Sequence, residues 1–120
     1  MTAPRDFGVL EESVRRFRDE RDWRQFHTPK DLAASVAIEA AELLEHFQWR
    51  TDAETRADLE VPEKKAAVAR EMADVLILLL SAADVMGVDL YATTLAKIRE
   101  NALKYPVEKA RGRADKYDRL

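Results

Sequence analysis

The chain has 120 residues, of which 47% are hydrophobic and 36% charged, and this balance indicates a globular protein and not a disordered one. It contains no cysteine, which excludes disulfides, thiolate catalysis and zinc–sulfur sites, and its net charge of −3 argues against a nucleic-acid binder. Only three glycines and four prolines favour long helices over a turn-rich sheet protein.

Neither a leader nor a membrane span is predicted. The N-terminal residues lack an apolar stretch of signal-peptide length, and the longest apolar run, residues 75–80, is far shorter than the roughly 20 residues that cross a bilayer. We therefore expect a cytoplasmic protein without a membrane partner. From residue 97 onward, eight Lys or Arg residues face four Asp or Glu residues. This basic end, with residues 106–120 as its tail, is either a solvated segment or a contact for polyphosphate oxygens.

The first half of the chain predicts two helices. Residues 6–22 carry apolar side chains spaced three or four apart, so one narrow stripe of this helix should be buried. The second helix starts after Thr28, a potential cap, with Pro29 at the first helical position. It continues to about Gln48 and is apolar around most of its circumference, which is typical of a helix in the middle of a bundle.

The second half predicts two more helices. Residues 49–61 are polar and predict at most one short turn. Pro62 then begins a third helix, and Gly87 is placed to end it in a left-handed cap. Asp89 can cap a fourth helix over residues 90–105, which stops before a proline.

Together these elements predict an all-α fold, a bundle of four main helices in a single domain spanning residues 1–120. The second and third helices carry more apolar surface than two neighbours can cover. We therefore expect other copies of the chain to complete the bundle, in a homodimer or a homotetramer.

Two pairs of carboxylates interrupt the most apolar parts of the second and third helices. Glu39 and Glu42 form one pair, and Glu71 and Asp74 form the other. In each pair the residues are three apart, so both carboxylates lie on one face of the helix. If these helices are buried, the cost of desolvating four negative charges requires a positive partner among them.

Several partners are compatible with that requirement. A hard cation such as Mg²⁺ is the simplest, because it prefers oxygen ligands and is commonly shared with substrate phosphates. Neutralisation by arginine is the rival interpretation, and carboxylates at a wet helix edge would need no partner at all. A ferritin-like di-iron site is disfavoured, since it requires Glu-x-x-His motifs, whereas His46 lies four residues after Glu42.

With these carboxylates in register, the chain resembles the MazG-like nucleoside triphosphate pyrophosphohydrolases, and within them the dCTP pyrophosphatase branch. The matching motifs are Glu39-x-x-Glu42, Glu71-x-x-Asp74, Glu20-Arg21-Asp22-Trp23, Gln25-Phe26-His27, Phe47-Gln48-Trp49, Asp74-Val75-Leu76-Ile77, Val88-Asp89-Leu90, Asn101, Lys104-Tyr105-Pro106 and Lys116-Tyr117.

The resemblance implies a reaction and a set of ligands. Water would attack the α-phosphorus of a nucleoside triphosphate with the help of Mg²⁺, for which Mn²⁺ can substitute, and the products would be a monophosphate and pyrophosphate. Glu39, Glu42, Glu71 and Asp74 would hold the metal, and one of the glutamates would orient or deprotonate the water. The implied substrate is dCTP or a modified pyrimidine deoxynucleotide, and the implied role is cleansing of the nucleotide pool.

The resemblance also implies residues that bind the substrate. Trp23 and Trp49 would form walls of a base pocket, although without the resemblance core or interface packing would be the preferred interpretation of either ring. His27 would be either a structural histidine or a neighbour of the phosphates.

The fourth predicted helix carries a further candidate surface. Lys97, Asn101 and Tyr105 lie four residues apart on one stripe, which would present an ammonium, an amide and a phenol to phosphate and sugar. The alternative is an ordinary polar helix face.

Two departures from the family pattern concern substrate choice. Eukaryotic relatives have His at the position of Val14 and Tyr at that of Leu78, both near the deoxyribose. The alternatives that stay open are the same chemistry on dUTP or noncanonical purine triphosphates, and a helical interaction module that has kept the fold without activity.

Overall fold

The structure, a computed structural model, describes residues 5–120 and is all-α. These residues form six α-helices, namely α1 (Phe7–Glu20), α2 (Pro29–Glu45), α3 (Asp52–Leu59), α4 (Pro62–Met86), α5 (Leu90–Lys104) and α6 (Val107–Ala110). Two single 3-10 turns, Arg24–Phe26 and Tyr117–Arg119, complete the regular structure. The four main helices predicted from the sequence are confirmed as α1, α2, α4 and α5.

The predicted start and stop signals act as expected. The Thr28 hydroxyl accepts a hydrogen bond of 3.1 Å from the backbone N–H of Asp31 at the start of α2. Asp89 accepts one of 3.0 Å from the N–H of Ala92 at the start of α5. At the end of α4, Gly87 has a φ of +68°, the left-handed conformation that glycine adopts without a steric penalty.

The segment between the second and third predicted helices is more ordered than expected, because it forms the eight-residue helix α3. A capping box starts this helix: Thr51 accepts from the N–H of Glu54, whose carboxylate accepts from the N–H of Thr51. Arg50 donates two hydrogen bonds of 2.6 and 2.8 Å to Asp58, which Lys64 contacts at 3.1 Å. The prediction of at most one turn was wrong because it did not consider these charge pairs.

By its internal contacts the described chain divides into a unit that ends at Gly87 and a second unit that begins at Val88. In the first unit α4 packs against α1, α2 and α3, and the residues buried there are mostly on α4 itself. The prediction of a single domain remains a prediction. Among residues 5–120, no single helix combines the length and the apolar character needed to cross a membrane.

Within the first unit, α2 and α4 keep much of their apolar surface exposed. Ile38 and Leu44 on α2 and Met72 on α4 are each more than half exposed, and Leu32 is the one buried residue of α2. The expectation that α2 would be enclosed is therefore not met within one chain. Apolar surface of this extent is typical of a face that another protein covers.

Candidate functional site

The packing of α2 against α4 brings the predicted carboxylates together. One oxygen from each of Glu39, Glu42 and Glu71 lies within 4.8 Å of the other two, and each of these side chains is partly buried. Asp74, one turn after Glu71 on α4, is exposed and stands outside this group of three. We define the acidic cluster as these three carboxylates together with Asp74, which follows Glu71 by three residues on the same face of α4.

No lysine or arginine in residues 5–120 forms an ion pair with the acidic cluster. The nearest basic group in an ion-pair arrangement is His46, whose Nε2 lies 3.9 Å from Oε1 of Glu71 and carries a charge only when protonated. Oε2 of Glu39 and Oε2 of Glu71 are buried and have no hydrogen-bond partner among the described residues. Neutralisation by arginine, the rival interpretation, therefore finds no support in the described chain.

The neighbouring carboxylates of the acidic cluster affect the pKa of Glu39. The pKa of its carboxyl is raised, first by a side-chain hydrogen bond with Glu42, in which the protonated Glu39 is the donor. Burial raises this pKa further, and so do the negative charges of Glu42, Asp74 and Glu71. The pKa is thus shifted in the direction expected for carboxylates that repel one another without a cation between them.

The donor set of the cluster fits a hard divalent cation. Its ligand atoms are carboxylate oxygens, which Mg²⁺, Mn²⁺ and Ca²⁺ accept, and it contains no sulfur. A bound cation would give the two buried oxygens the partner that the described protein does not provide. The position of His46 beside Glu71 was not anticipated as part of this site, although it lies one turn after Glu42 on the same helix face.

A cavity of about 350 Å³ lies along α4, beyond the acidic cluster. Its walls come from α1, from the turn that follows α1, and from α4, and they are mostly apolar. The lining residues are Leu10, Ser13, Val14, Phe17, Arg18, Trp23, His27, Ile77, Leu78 and Ser81.

Two of the predicted substrate residues, Trp23 and His27, line this cavity together. The Trp23 ring meets the Phe17 ring edge-on at 5.6 Å between centroids, and its backbone N–H donates to the carbonyl of Arg18 at 3.0 Å. Nδ1 of His27 is buried and has no hydrogen-bond partner within residues 5–120. An aromatic wall with an unsatisfied polar atom beside it is typical of a site for a flat polar ligand.

The sequence analysis missed Arg18 and Ser81, two polar residues of the same cavity. Arg18 lies four residues after Val14 and so continues the apolar stripe of α1. This spacing was the one sequence feature that could have predicted its burial. In a helix with so many charged residues, that position looked like one more exposed cation.

A second cavity, of about 400 Å³, lies between the end of α2, α3 and the start of α4. His46, Arg50, Asp58 and Lys64 are among the residues that line it. The cations Arg50 and Lys64 are already bound to Asp58, whose pKa is lowered chiefly by its hydrogen bond from Arg50. The ion pairs of Asp58 therefore occupy two of the cations in this lining.

The remaining predicted substrate residues lie elsewhere. Trp49 follows α2 with a φ of +64°, is 92% exposed, and does not line the cavity of Trp23. Lys97, Asn101 and Tyr105 belong to the second unit and are exposed. Within that unit Lys97 pairs with Glu100 at 3.3 Å.

Comparisons with known proteins place the chain among its relatives. The model of the MazG-like family matches residues 34–120, a range that contains all four cluster carboxylates. The chain is 42% identical over 113 residues to dCTP pyrophosphatase 1 of Rattus norvegicus, and 41% identical over the same length to dCTP pyrophosphatase 1 of Homo sapiens. Each alignment covers 91% of this chain and 66% of the mammalian protein.

The fold is also similar to that of a solved structure. A crystal structure of a pyrophosphatase from Archaeoglobus fulgidus superposes with a TM-score of 0.77 at 42% sequence identity. The match covers 88% of this chain and 97% of the archaeal chain. Since the family model spans well over half of the residues and the acidic cluster lies within the match, the chain belongs to the MazG-like family.

Proposed function

We propose that this protein is a divalent-metal-dependent nucleoside triphosphate pyrophosphohydrolase that converts dCTP, or a modified pyrimidine deoxynucleotide, to the monophosphate and pyrophosphate. The observation that carries the proposal is the acidic cluster, in which Glu39, Glu42 and Glu71 converge without a cationic partner in the described chain. Its similarity to two mammalian dCTP pyrophosphatases and to an archaeal pyrophosphatase supports it.

Mg²⁺ is the proposed ion, held by Glu39, Glu42, Glu71 and Asp74, and Mn²⁺ can replace it because both accept carboxylate oxygens. When bound, the ion lowers the pKa of coordinated water and offsets negative charge on the phosphate oxygens. Asp74 is exposed, so its carboxylate is accessible to a ligand from solvent.

The proposed reaction is an in-line displacement at phosphorus. The oxygen of water forms a bond to the α-phosphorus, and the bond from that phosphorus to the bridging oxygen breaks, so pyrophosphate leaves. One of the cluster glutamates accepts the proton that the water loses. Little covalent chemistry is required of the protein, whose main contributions are position and charge.

The other proposed substrate contacts follow the resemblance. Trp23 and His27 line the apolar cavity and would enclose the base and its sugar. Lys97, Asn101 and Tyr105 on α5 are the proposed contacts of the phosphates and sugar. Hydrolysis of dUTP or of a noncanonical purine triphosphate is the alternative, which a panel of nucleotides distinguishes.

Hydrolysis by the purified protein tests the proposal. With Mg²⁺ and dCTP we expect dCMP and pyrophosphate in equal amounts, and none in EDTA. Glu42→Gln should lower kcat at least about 100-fold, because it removes a negative ligand from the metal site. The matched control is Glu45→Gln, an exposed carboxylate on the same helix without an ion pair in the described chain, which should retain wild-type activity.

Chromatography of the products identifies which phosphorus atom is attacked. A diphosphate and orthophosphate would contradict attack at the α-phosphorus. No turnover of any deoxy- or ribonucleotide would favour the interaction module instead.

Stability against pH and metal provides an independent test of the cluster. The pKa of Glu39 is raised in the folded protein above its ordinary value of 4.5. Glu39 therefore contributes its full stabilisation to the folded state below pH 4.5, and this stabilisation is lost as the pH rises through the raised pKa. In EDTA we therefore expect the melting temperature to fall as the pH increases above about 4.5 through this transition. At pH 7 Glu39→Gln should melt at a higher temperature than the wild type.

Mg²⁺ should reverse that order, because it binds the folded wild-type protein. At 100 times its Kd, the ion stabilises by about 2.7 kcal/mol, which is roughly 5–15 °C for a chain of this size. The shift should be much smaller in Glu39→Gln. Equal shifts in both proteins, measured by differential scanning calorimetry, would contradict a cation at Glu39.

We also propose that the protein assembles as a homodimer or homotetramer. The exposed apolar surface of α2 and α4 is the observation behind this, and a second copy offers the same surface for a two-fold interface.

Light scattering at micromolar concentration should give a mass of two or four chains. Ile38→Glu, on the exposed face of α2, should shift the mass toward that of one chain, because a charge in an apolar interface is costly. A monomer in the wild type would refute the assembly and leave the hydrolase proposal standing.

A further inference from the structure

Arg18 is a buried cation in the wall of the cavity. Its exposed fraction is 3%, and two of its donor nitrogens are occupied, Nε by Asp19 at 2.8 Å and Nη1 by Asp84 at 2.5 Å. Nη2 has no hydrogen-bond partner among the described residues. Since the guanidinium has donors only, this leaves a fixed hydrogen-bond donor at a cavity that is otherwise mostly apolar.

Two other polar groups of the cavity lack partners as well. Ser81 is 4% exposed, and its hydroxyl makes no hydrogen bond to residues 5–120. Nδ1 of His27 is buried and unpartnered in the same part of the chain. A buried polar group without a partner is destabilising by about 1–3 kcal/mol, and in this cavity that group is Nδ1 of His27. Together with the free donors of Arg18 and Ser81 in the same lining, it points to a ligand with a polar edge.

The position of these groups along α4 indicates which part of a nucleotide they would meet. A helix rises about 1.5 Å per residue, so Leu78 lies about 6 Å along the axis from Asp74, and Ser81 about 10 Å. The sugar and then the base follow the α-phosphate in a nucleotide. If the α-phosphate lies at the acidic cluster, as the proposed function requires, the sugar lies at Leu78 and the base at Ser81 and Arg18.

From this geometry we infer that Arg18 is a specificity-determining residue, which recognises the polar edge of a pyrimidine base and favours cytosine over uracil and thymine. Cytosine presents two adjacent acceptors, N3 and O2, to a group that only donates. Uracil and thymine carry an N3–H donor at the same place, and Arg18 has no acceptor to offer it. Ser81, whose hydroxyl both donates and accepts, does not impose this preference by itself.

Asp84 acts as the positioning residue for Arg18. Its carboxylate binds Nη1 and also lies 3.7 Å from Arg15, so it holds the guanidinium at Nη1 and leaves Nη2 without a partner in the described chain. The carbonyl of Arg18 accepts the N–H of Trp23, which ties the arginine and the aromatic wall to the same turn of backbone. The donor and the stacking surface are thereby held in a fixed relation.

The test compares dCTP with dUTP, each with Mg²⁺, in the wild type and in the double variant Arg18→Leu/Asp84→Leu. Replacing both partners leaves no unpaired buried charge, and such replacements are often neutral or stabilising. We expect the wild type to prefer dCTP in kcat/KM by about 10-fold or more, the discrimination of one charged hydrogen bond. In the double variant the ratio should approach one, mainly through the KM for dCTP.

Arg15→Leu is the matched control, because Arg15 also contacts Asp84 but does not line the cavity. It should keep the wild-type ratio. If the double variant is unfolded at the assay temperature, Arg18→Gln takes its place, since its amide both donates and accepts and so removes the donor-only character of the residue. A dCTP to dUTP ratio near one in the wild type, or a wild-type ratio in the folded Arg18 variant, would overturn the inference.

Calorimetric binding of dCMP and dUMP separates this inference from the proposed function, because it requires no turnover. Preference for dCMP that depends on Arg18, without hydrolysis of any triphosphate, would support the base recognition and refute the hydrolase. Hydrolysis of both triphosphates with equal kcat/KM, together with equal binding of dCMP and dUMP, would support the hydrolase and refute base recognition by Arg18.

Discussion

Unpaired negative charge between α2 and α4 is the constraint on which the rest of this structure depends. Glu39, Glu42 and Glu71 are held within 4.8 Å of one another by helices that also pack together, and the described chain supplies no lysine or arginine to neutralise them. Repulsion of this kind works against folding, and the raised pKa of Glu39 is its direct expression. In the proposed function a bound cation relieves this repulsion, so stability and catalysis would depend on the same ion.

A single helix connects this cluster to the cavity. Glu71 and Asp74 lie near the middle of α4, and Leu78 and Ser81 follow them at one-turn intervals on the way to its C-terminal end. In the proposed function, α4 would therefore set the distance between the phosphate end of the substrate, at the acidic cluster, and its base end, at the mostly apolar cavity. Because both sites share one rigid element, their separation is set by helix geometry and not by loop conformation.

Much of this arrangement follows from local sequence signals. Thr28, Gly87 and Asp89 mark helix ends through backbone chemistry that does not depend on the rest of the fold, and the i, i+3 spacing places each carboxylate pair on one face. What the sequence did not predict depends on contacts distant along the chain. The pairing of Arg18 with Asp84 joins residues 66 positions apart, and α3 depends on Asp58 meeting Arg50 and Lys64. Such pairs have no periodic signature, so each of their members resembles an ordinary surface charge.

Diffraction from crystals grown with Mn²⁺, recorded at the absorption edge of manganese, tests the central claim most directly. We predict an anomalous difference peak bounded by the carboxylates of Glu39, Glu42 and Glu71. We also predict that the peak disappears in crystals of Glu71→Gln. A cluster without a peak in the wild type, or a lysine or arginine side chain in its place, would contradict the account.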